Sequence, residues 1–353
     1  MSASITPQFV RLLRLPVFVA LLGGCAALMS AQEKAVPPAP VPGNFDPTPG
    51  QPAASAVAKA GPARPRVQAH SPRDDSGIWS PTDFAAVNPK LPSLVIAGDS
   101  TASTGDPAHR GWGAVLMDYF DPAKVNIVNR AIGGRSFRSF YGEGAWQKVV
   151  DGLRPGDFVI IEFGHNDGGP VGDGPARGDL PGTGDNTQVV TKPNGTTETV
   201  HSYGWYTRTF IRDVKAKGAT PIVSSTTVRN MWTNPNATFR DSVITDKKAG
   251  YDPAADRVER GMGGMLGWAR QVAAEEKVAF LDHSNITADV YEKIGREETA
   301  KFFPADHTHT STDGAAKNAE TLIAGLKAIP GMPLVNFLNE KGRAIPAYTG
   351  TAR

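Results

Sequence analysis

The chain has 353 residues and a net charge of only +2, from 37 basic against 35 acidic side chains; so small an excess gives no basic field of the kind that holds nucleic acid, and no nucleic-acid partner is expected. Its 38 glycines and 29 prolines argue against a helix bundle and for long connecting loops, and the length allows one large domain with appendages or two small ones. The lone cysteine, Cys25, excludes an internal disulfide.

Residues 1–31 read as a leader, not as fold. Arg11 and Arg14 precede the apolar run Leu15-Pro16-Val17-Phe18-Val19-Ala20-Leu21-Leu22, followed by small residues, which is the layout of a secretory signal. The run is too short and too broken for a membrane span. Leu22-Gly23-Gly24-Cys25 resembles a bacterial lipobox, in which Cys25 becomes the lipidated first residue and anchors the protein to a membrane. Ordinary cleavage, for instance after Ala27, is the alternative. Either way the protein is expected to be exported, to the periplasm, the outer membrane or the medium of a bacterium. Residues 32–90 read as a Pro/Ala-rich linker and lead-in, with Pro37-Pro38-Ala39-Pro40-Val41-Pro42 favouring extended, unpaired backbone.

From Leu91 apolar runs alternate with helical spacing. Strands are expected at 94–97, 125–129, 157–163, 220–225 and 278–282. The third is apolar enough to be buried on both faces. Helices are expected at 112–120, after Gly144, at 203–216, at 256–276 despite its four glycines, and at 311–328. Five alternations of strand and helix are the signature of an α/β domain, a parallel sheet covered on both faces, here over residues 91–330 with a tail at 331–353. Residues 168–201 interrupt the pattern with Gly, Asp, Pro and Thr and no apolar period; a long loop directly after a strand is expected to be functional or mobile.

Four motifs fall at strand ends or before the closing helix, and in a parallel sheet such ends share one rim. They are Gly98-Asp99-Ser100, Ala131-Ile132-Gly133-Gly134-Arg135-Ser136, Gly164-His165-Asn166-Asp167 and Asp306-His307-Thr308-His309. Together they suit acyl transfer. Ser100 supplies the oxygen nucleophile, which needs a base. His309 is the candidate base, because neutral imidazole is tuned to take a proton near pH 7. Asp306, three residues earlier, can reach the far ring nitrogen, fix the tautomer and stabilise the imidazolium. Charge developing on the former carbonyl oxygen needs preorganised donors. The N–H of Ser100, the N–H of Gly134 and the side-chain amide of Asn166 are the candidates; a turn glycine and a turn-stabilising amide are the plainer alternatives for the last two. His307 is expected to point elsewhere, into a structural hydrogen bond.

These motifs, in order, resemble the four blocks of the SGNH (GDSL-like) hydrolase superfamily. The likeness is closest to rhamnogalacturonan acetylesterases, through Gly98-Asp99-Ser100-Thr101, Gly134-Arg135-Ser136, Glu162-Phe163-Gly164-His165-Asn166-Asp167-Gly168-Gly169 and Phe303-Pro304-Ala305-Asp306-His307-Thr308-His309-Thr310. The resemblance covers residues 91–328. It implies a three-layer α/β/α fold with a five-stranded, flavodoxin-like parallel sheet, a catalytic triad of Ser100, Asp306 and His309, and an oxyanion hole of Ser100, Gly134 and Asn166. It implies no metal and no organic cofactor. The implied partner is an acetylated polysaccharide, pectic rhamnogalacturonan first, and a monomer is expected. Arg135 and Arg138 then become candidates for sugar-acid carboxylates or, alternatively, solvated or helix-capping charges. His165 is a further substrate-binding candidate. Trp205 and Trp232 either stack on sugar rings or sit in the core.

Several rival readings stay open. Xylan or peptidoglycan acetyl esters are alternative substrates, and a general GDSL-type esterase or lipase is another, although no long amphipathic lid is present. Histidines two apart, His307 and His309, also suggest a two-metal phosphoesterase; an upstream Asp-x-His is missing before Gly98. A glycan-binding module without turnover would not need Ser100, Asp306 and His309 together.

Overall fold

The computed structural model describes residues 87–172, 176–261 and 263–350. The expected leader, the lipobox at Cys25 and the Pro/Ala-rich tether lie outside the described residues. Five strands form the central sheet: β1 (Ser93–Gly98), β2 (Asn126–Asn129), β3 (Phe158–Glu162), β4 (Thr220–Ser224) and β5 (Ala279–Leu281). Their spatial order is β2-β1-β3-β4-β5 and every neighbouring pair is parallel.

β1 and β3 are buried along their whole length, which is why both read as unbroken apolar runs. Their side chains alternate between two cores. Val95, Ala97, Val159 and Ile161 enter one, where Phe137, Trp146, Phe210 and Val272 bring helices Phe137–Gly142, Ala145–Gly152, Tyr203–Ala216 and Met265–Glu275 onto the sheet. Leu94, Ile96, Phe158 and Ile160 enter the other, covered by Trp112, Leu116 and helix Thr312–Ala328 through Ala319, Leu322, Ile323 and Leu326. The fold is the expected three-layer α/β/α arrangement. The chain steps from β1 to β2 in one direction and then to β3, β4 and β5 in the other. The carboxyl ends of β1 and β3 therefore flank the switch point, where such sheets open a ligand crevice.

Several elements differ from expectation. The apolar spacing at 112–120 is served by two 3₁₀ turns, Trp112–Ala114 and Leu116–Tyr119, instead of one helix. The chain is pressed against its neighbour there: a Cβ on Gly113 would lie 2.4 Å from the Ala102 carbonyl oxygen. The helix expected over 256–276 begins only at Met265. Gly261, Gly263 and Gly264 have φ of +74°, +53° and +101°, left-handed conformations that a helix cannot pass through, and Arg257–Val258 pairs antiparallel with Trp232–Thr233. The structureless stretch expected at 168–201 contains a hairpin, Thr187–Thr191 with Thr197–His201, and Ala237–Arg240 with Val243–Lys247 form a second. Helix His283–Ile294, capped by Asp282, follows β5 directly. Residues beyond 330 also pack on the body, with Leu334 and Leu338 fully or nearly buried in the second core. Among the described residues no helix is long and apolar enough to cross a membrane.

Candidate active site

β1 ends at Gly98, where a Cβ would meet the Glu162 carbonyl oxygen at 2.9 Å and Ala102 Cβ at 3.1 Å; glycine lets the strand run tight against β3 and into its turn. The turn is closed by the Ser103 N–H donating to the Asp99 carbonyl (3.0 Å). The Asp99 carboxylate accepts the Thr101 N–H and hydroxyl, both at 2.9 Å. Burial pushes the Asp99 carboxyl up to about 6; the Thr101 hydrogen bonds oppose this and neighbouring Glu162 adds to it. Ser100 is carried on this braced turn.

The Ser100 hydroxyl oxygen lies 2.9 Å from His309 Nε2. His309 Nδ1 lies 2.7 Å from Asp306 Oδ2. The second oxygen, Asp306 Oδ1, accepts the N–H groups of Thr308 (2.6 Å) and His309 (2.8 Å), so the loop curls around its own carboxylate. Burial alone would raise the Asp306 carboxyl, but the hydrogen bonds from the His309 ring and the two backbone N–H groups outweigh it and hold Asp306 well below the usual carboxylate range. The loop is tied down on both sides: the Asn230 N–H donates to the His307 carbonyl and the Arg110 N–H to that of Thr310, each at 2.7 Å. His307 faces Asp241 of the second hairpin (3.1 Å).

The Gly133-Gly134 turn after β2 lies against the serine; a Cβ built on Gly133 would be 3.8 Å from Ser100 Cβ. Gly134 has φ of +75°, a conformation that favours glycine. Asn166, just beyond β3, donates through Nδ2 to the Arg135 carbonyl (2.9 Å), which holds its amide on the same turn and leaves one N–H of that nitrogen for another acceptor. Serine, glycine turn and asparagine therefore meet at the β1/β3 switch point.

The other sequence candidates are placed differently. His165, expected to bind substrate, has both ring nitrogens shut off from solvent. Burial, with Arg229, His309 and His307 nearby, holds its pKa well below the ordinary histidine value. Trp205 stacks on the His201 ring at 3.7 Å, meets Tyr206 edge-on and packs on the first core, so of its two expected roles the contacts support packing. Trp232 is 3% exposed, inside a third apolar cluster with Val258 and Tyr291. Arg135 pairs with Glu143 (2.9 Å) and the buried Arg138 with Glu198 (3.0 Å).

Residues given no role from the sequence complete the surroundings. His109 stands edge-on to His309, ring centroids 5.4 Å apart, with its Nδ1 3.1 Å from Asp106. The available signal was the spacing Asp106-x-x-His109, the same as Asp306-x-x-His309. His109, Asp306 and His309 bring possible ligand atoms within 4.8 Å of one another. Both His309 nitrogens already face Ser100 and Asp306, however, and this donor set fits proton transfer better than ligation. Beneath the rim, fully buried Glu162 accepts from Trp112 Nε1 (2.8 Å) and Ser224 Oγ (2.9 Å) and faces His283 Nδ1 (2.9 Å). Buried Asp167 and Asp179 influence one another electrostatically and receive the N–H groups of Phe137 (2.9 Å) and Arg138 (3.2 Å), respectively. Burial pushes both carboxyls up.

A family model of GDSL-like lipases and acylhydrolases matches residues 96–317. The chain is 37% identical over 237 residues to a rhamnogalacturonan acetylesterase of Emericella nidulans, covering 67% of this chain and 84% of that one. It is 28% identical over 252 residues to a probable rhamnogalacturonan acetylesterase of Bacillus subtilis, covering 69% and 96%. Among solved structures, a variant of an acetylxylan esterase of Geobacillus stearothermophilus aligns at a TM-score of 0.42 and 16% identity, over 66% of this chain and 93% of that one. With the family model spanning well over half of its length, the chain belongs to the GDSL-like lipase/acylhydrolase family and is a carboxylic ester hydrolase.

Proposed function

We propose that the protein is an exported serine esterase that removes acetyl groups from a polysaccharide, with rhamnogalacturonan as its substrate. The observation that carries this reading is the continuous chain of contacts Ser100–His309–Asp306, at 2.9 and 2.7 Å, in a protein similar over two thirds of its length to an enzyme named for that reaction.

In this reading Ser100 Oγ attacks the acetyl carbonyl carbon while His309 Nε2 takes the hydroxyl proton. Asp306 accepts the Nδ1–H bond and stabilises the imidazolium. The tetrahedral oxyanion is held by the N–H groups of Ser100 and Gly134 and by the Asn166 amide. Collapse breaks the ester bond, and His309 returns the proton to the departing sugar oxygen. A water molecule, deprotonated by His309, then attacks the acetyl-serine; acetate leaves and Ser100 regains its proton.

The test is acetate release from acetylated rhamnogalacturonan and acetylated xylan, with Ser100→Ala as control. Rhamnogalacturonan should be deacetylated faster, and the variant should release none. Hydrolysis of 4-nitrophenyl acetate without acetate release from either polymer would overturn the reading.

A further inference from the structure

Beside the Gly134 turn a cleft of about 390 Å³ opens between that turn, helix Phe137–Gly142, Arg177 and the first hairpin. Its volume lies in the range of small-molecule sites and suits about one sugar unit. Four cations line it, Arg135, Arg138, Arg177 and Lys192, against two carboxylates, Glu143 and Glu198. Their pairing is uneven. Glu143 is engaged by Arg135 at 2.9 Å. One oxygen of Glu198 is shared by Arg138 at 3.0 Å and Lys192 at 3.5 Å. The Arg177 guanidinium donates to the Gly134 carbonyl at 2.8 Å and meets no carboxylate among the described residues. The lining thus carries two positive charges more than it balances, and the least compensated one sits beside the candidate oxyanion glycine.

The backbone that carries Arg177 is held in place. The Ser136 hydroxyl donates to the Arg177 carbonyl, Arg138 donates to that of Gly178 (3.0 Å), and the Asp179 N–H donates to that of Asp167 (2.9 Å). A Cβ on Gly178 would fall 1.9 Å from the Gly169 carbonyl oxygen, so only glycine allows the two strands of this loop to meet. A planar guanidinium on a braced backbone, with donors unused among the described residues, in a concave, positively charged cleft is suited to a carboxylate.

We propose that this cleft is a uronate subsite: Arg177, supported by Lys192, binds the carboxylate of a sugar acid linked to the acetylated sugar. The inference rests on the reading of the protein as a polysaccharide acetylesterase and makes Arg177 a specificity-determining residue. Because Arg177 also touches the Gly134 carbonyl, the informative quantity is a ratio between substrates.

Acetylated rhamnogalacturonan with free carboxylates is compared with the same polymer after methyl esterification, for wild type, Arg177→Ala and Lys192→Ala. Wild type should favour the free acid at least tenfold in kcat/KM, mainly through KM. Arg177→Ala should bring that preference close to one, and Lys192→Ala should reduce it less. Equal losses on both polymers in Arg177→Ala would overturn the subsite. Binding of unacetylated oligogalacturonate to the Ser100→Ala protein provides a readout without turnover. It should weaken with added salt, and at least tenfold on adding Arg177→Ala; no binding would overturn the subsite even if acetate is released. Binding without any acetate release from rhamnogalacturonan would instead count against the proposed reaction and leave the subsite standing.

Discussion

Replacing Asp306 by Asn tests the geometry of the proton relay more sharply than deleting the side chain. Asp306 Oδ1 accepts two backbone N–H groups, from Thr308 and His309, at 2.6 and 2.8 Å. An amide nitrogen cannot accept either of them, so the Asn oxygen must keep that position and the NH₂ must take the place of Oδ2. That puts a donor against His309 Nδ1, now 2.7 Å from Oδ2. The imidazole must then carry its proton on Nε2, the atom that faces Ser100 Oγ, and cannot act as base. Loss of the correct tautomer with intact geometry costs about four decades in related relays, or about 5.5 kcal/mol in the barrier. His309 and Asp306 are 27% and 39% exposed at the side chain, so water partly screens the change and a loss of about 10³ to 10⁴ in kcat is expected. Initial-rate hydrolysis of 4-nitrophenyl acetate measures it, with circular dichroism confirming the fold. A loss below tenfold would refute the orienting role assigned to Asp306.

Asn166→Ala should lower kcat by roughly 10² to 10³ with little change in KM, as expected for a donor used mainly in the transition state; a rise in KM with kcat intact would move Asn166 to substrate binding. Glu162→Ala removes the buried carboxyl that faces Trp112, Ser224 and His283 and should cost about 3–5 kcal/mol in chemical denaturation, a loss under 1 kcal/mol being incompatible with the network at 2.8–2.9 Å. The Asp167–Asp179 pair should show in the pH dependence of Tm. Burial raises both carboxyls, so folding favours their protonated forms; the stability they contribute is complete below the ordinary carboxylate range and is lost as pH rises through the raised values. Asp179→Asn does not titrate at this position, so its Tm deficit relative to wild type should narrow between pH 5 and 8, and a constant deficit would argue against a raised Asp179 carboxyl.

The sheet was legible because a strand buried on both faces must be apolar throughout, as Leu94-Val95-Ile96-Ala97 and Phe158-Val159-Ile160-Ile161 are. Chain order with alternating helices then placed Ser100, Gly134, Asn166 and the 306–309 loop on one rim. Helix periodicity misled at 256–276, where the apolar spacing persists across glycines whose left-handed backbone ends the helix. The first hairpin carried its own signal, Asn194-Gly195 between Val190 and Val200, two residues that are buried while their neighbours are mostly exposed. Arg177 had none. It lies in a Gly- and Pro-rich stretch, and its significance depends on Glu143 and Glu198 being engaged by other cations, a relation that only the folded chain reveals.

The central claim is that one hydroxyl does the chemistry, and covalent trapping addresses it most directly. After treatment with a phosphonofluoridate ester, peptide mass spectrometry should find a single adduct on Ser100, formed in step with loss of esterase activity and absent in His309→Ala. A fully inhibited enzyme whose label sits on another residue, or one that keeps its activity with Ser100 modified, would contradict the account.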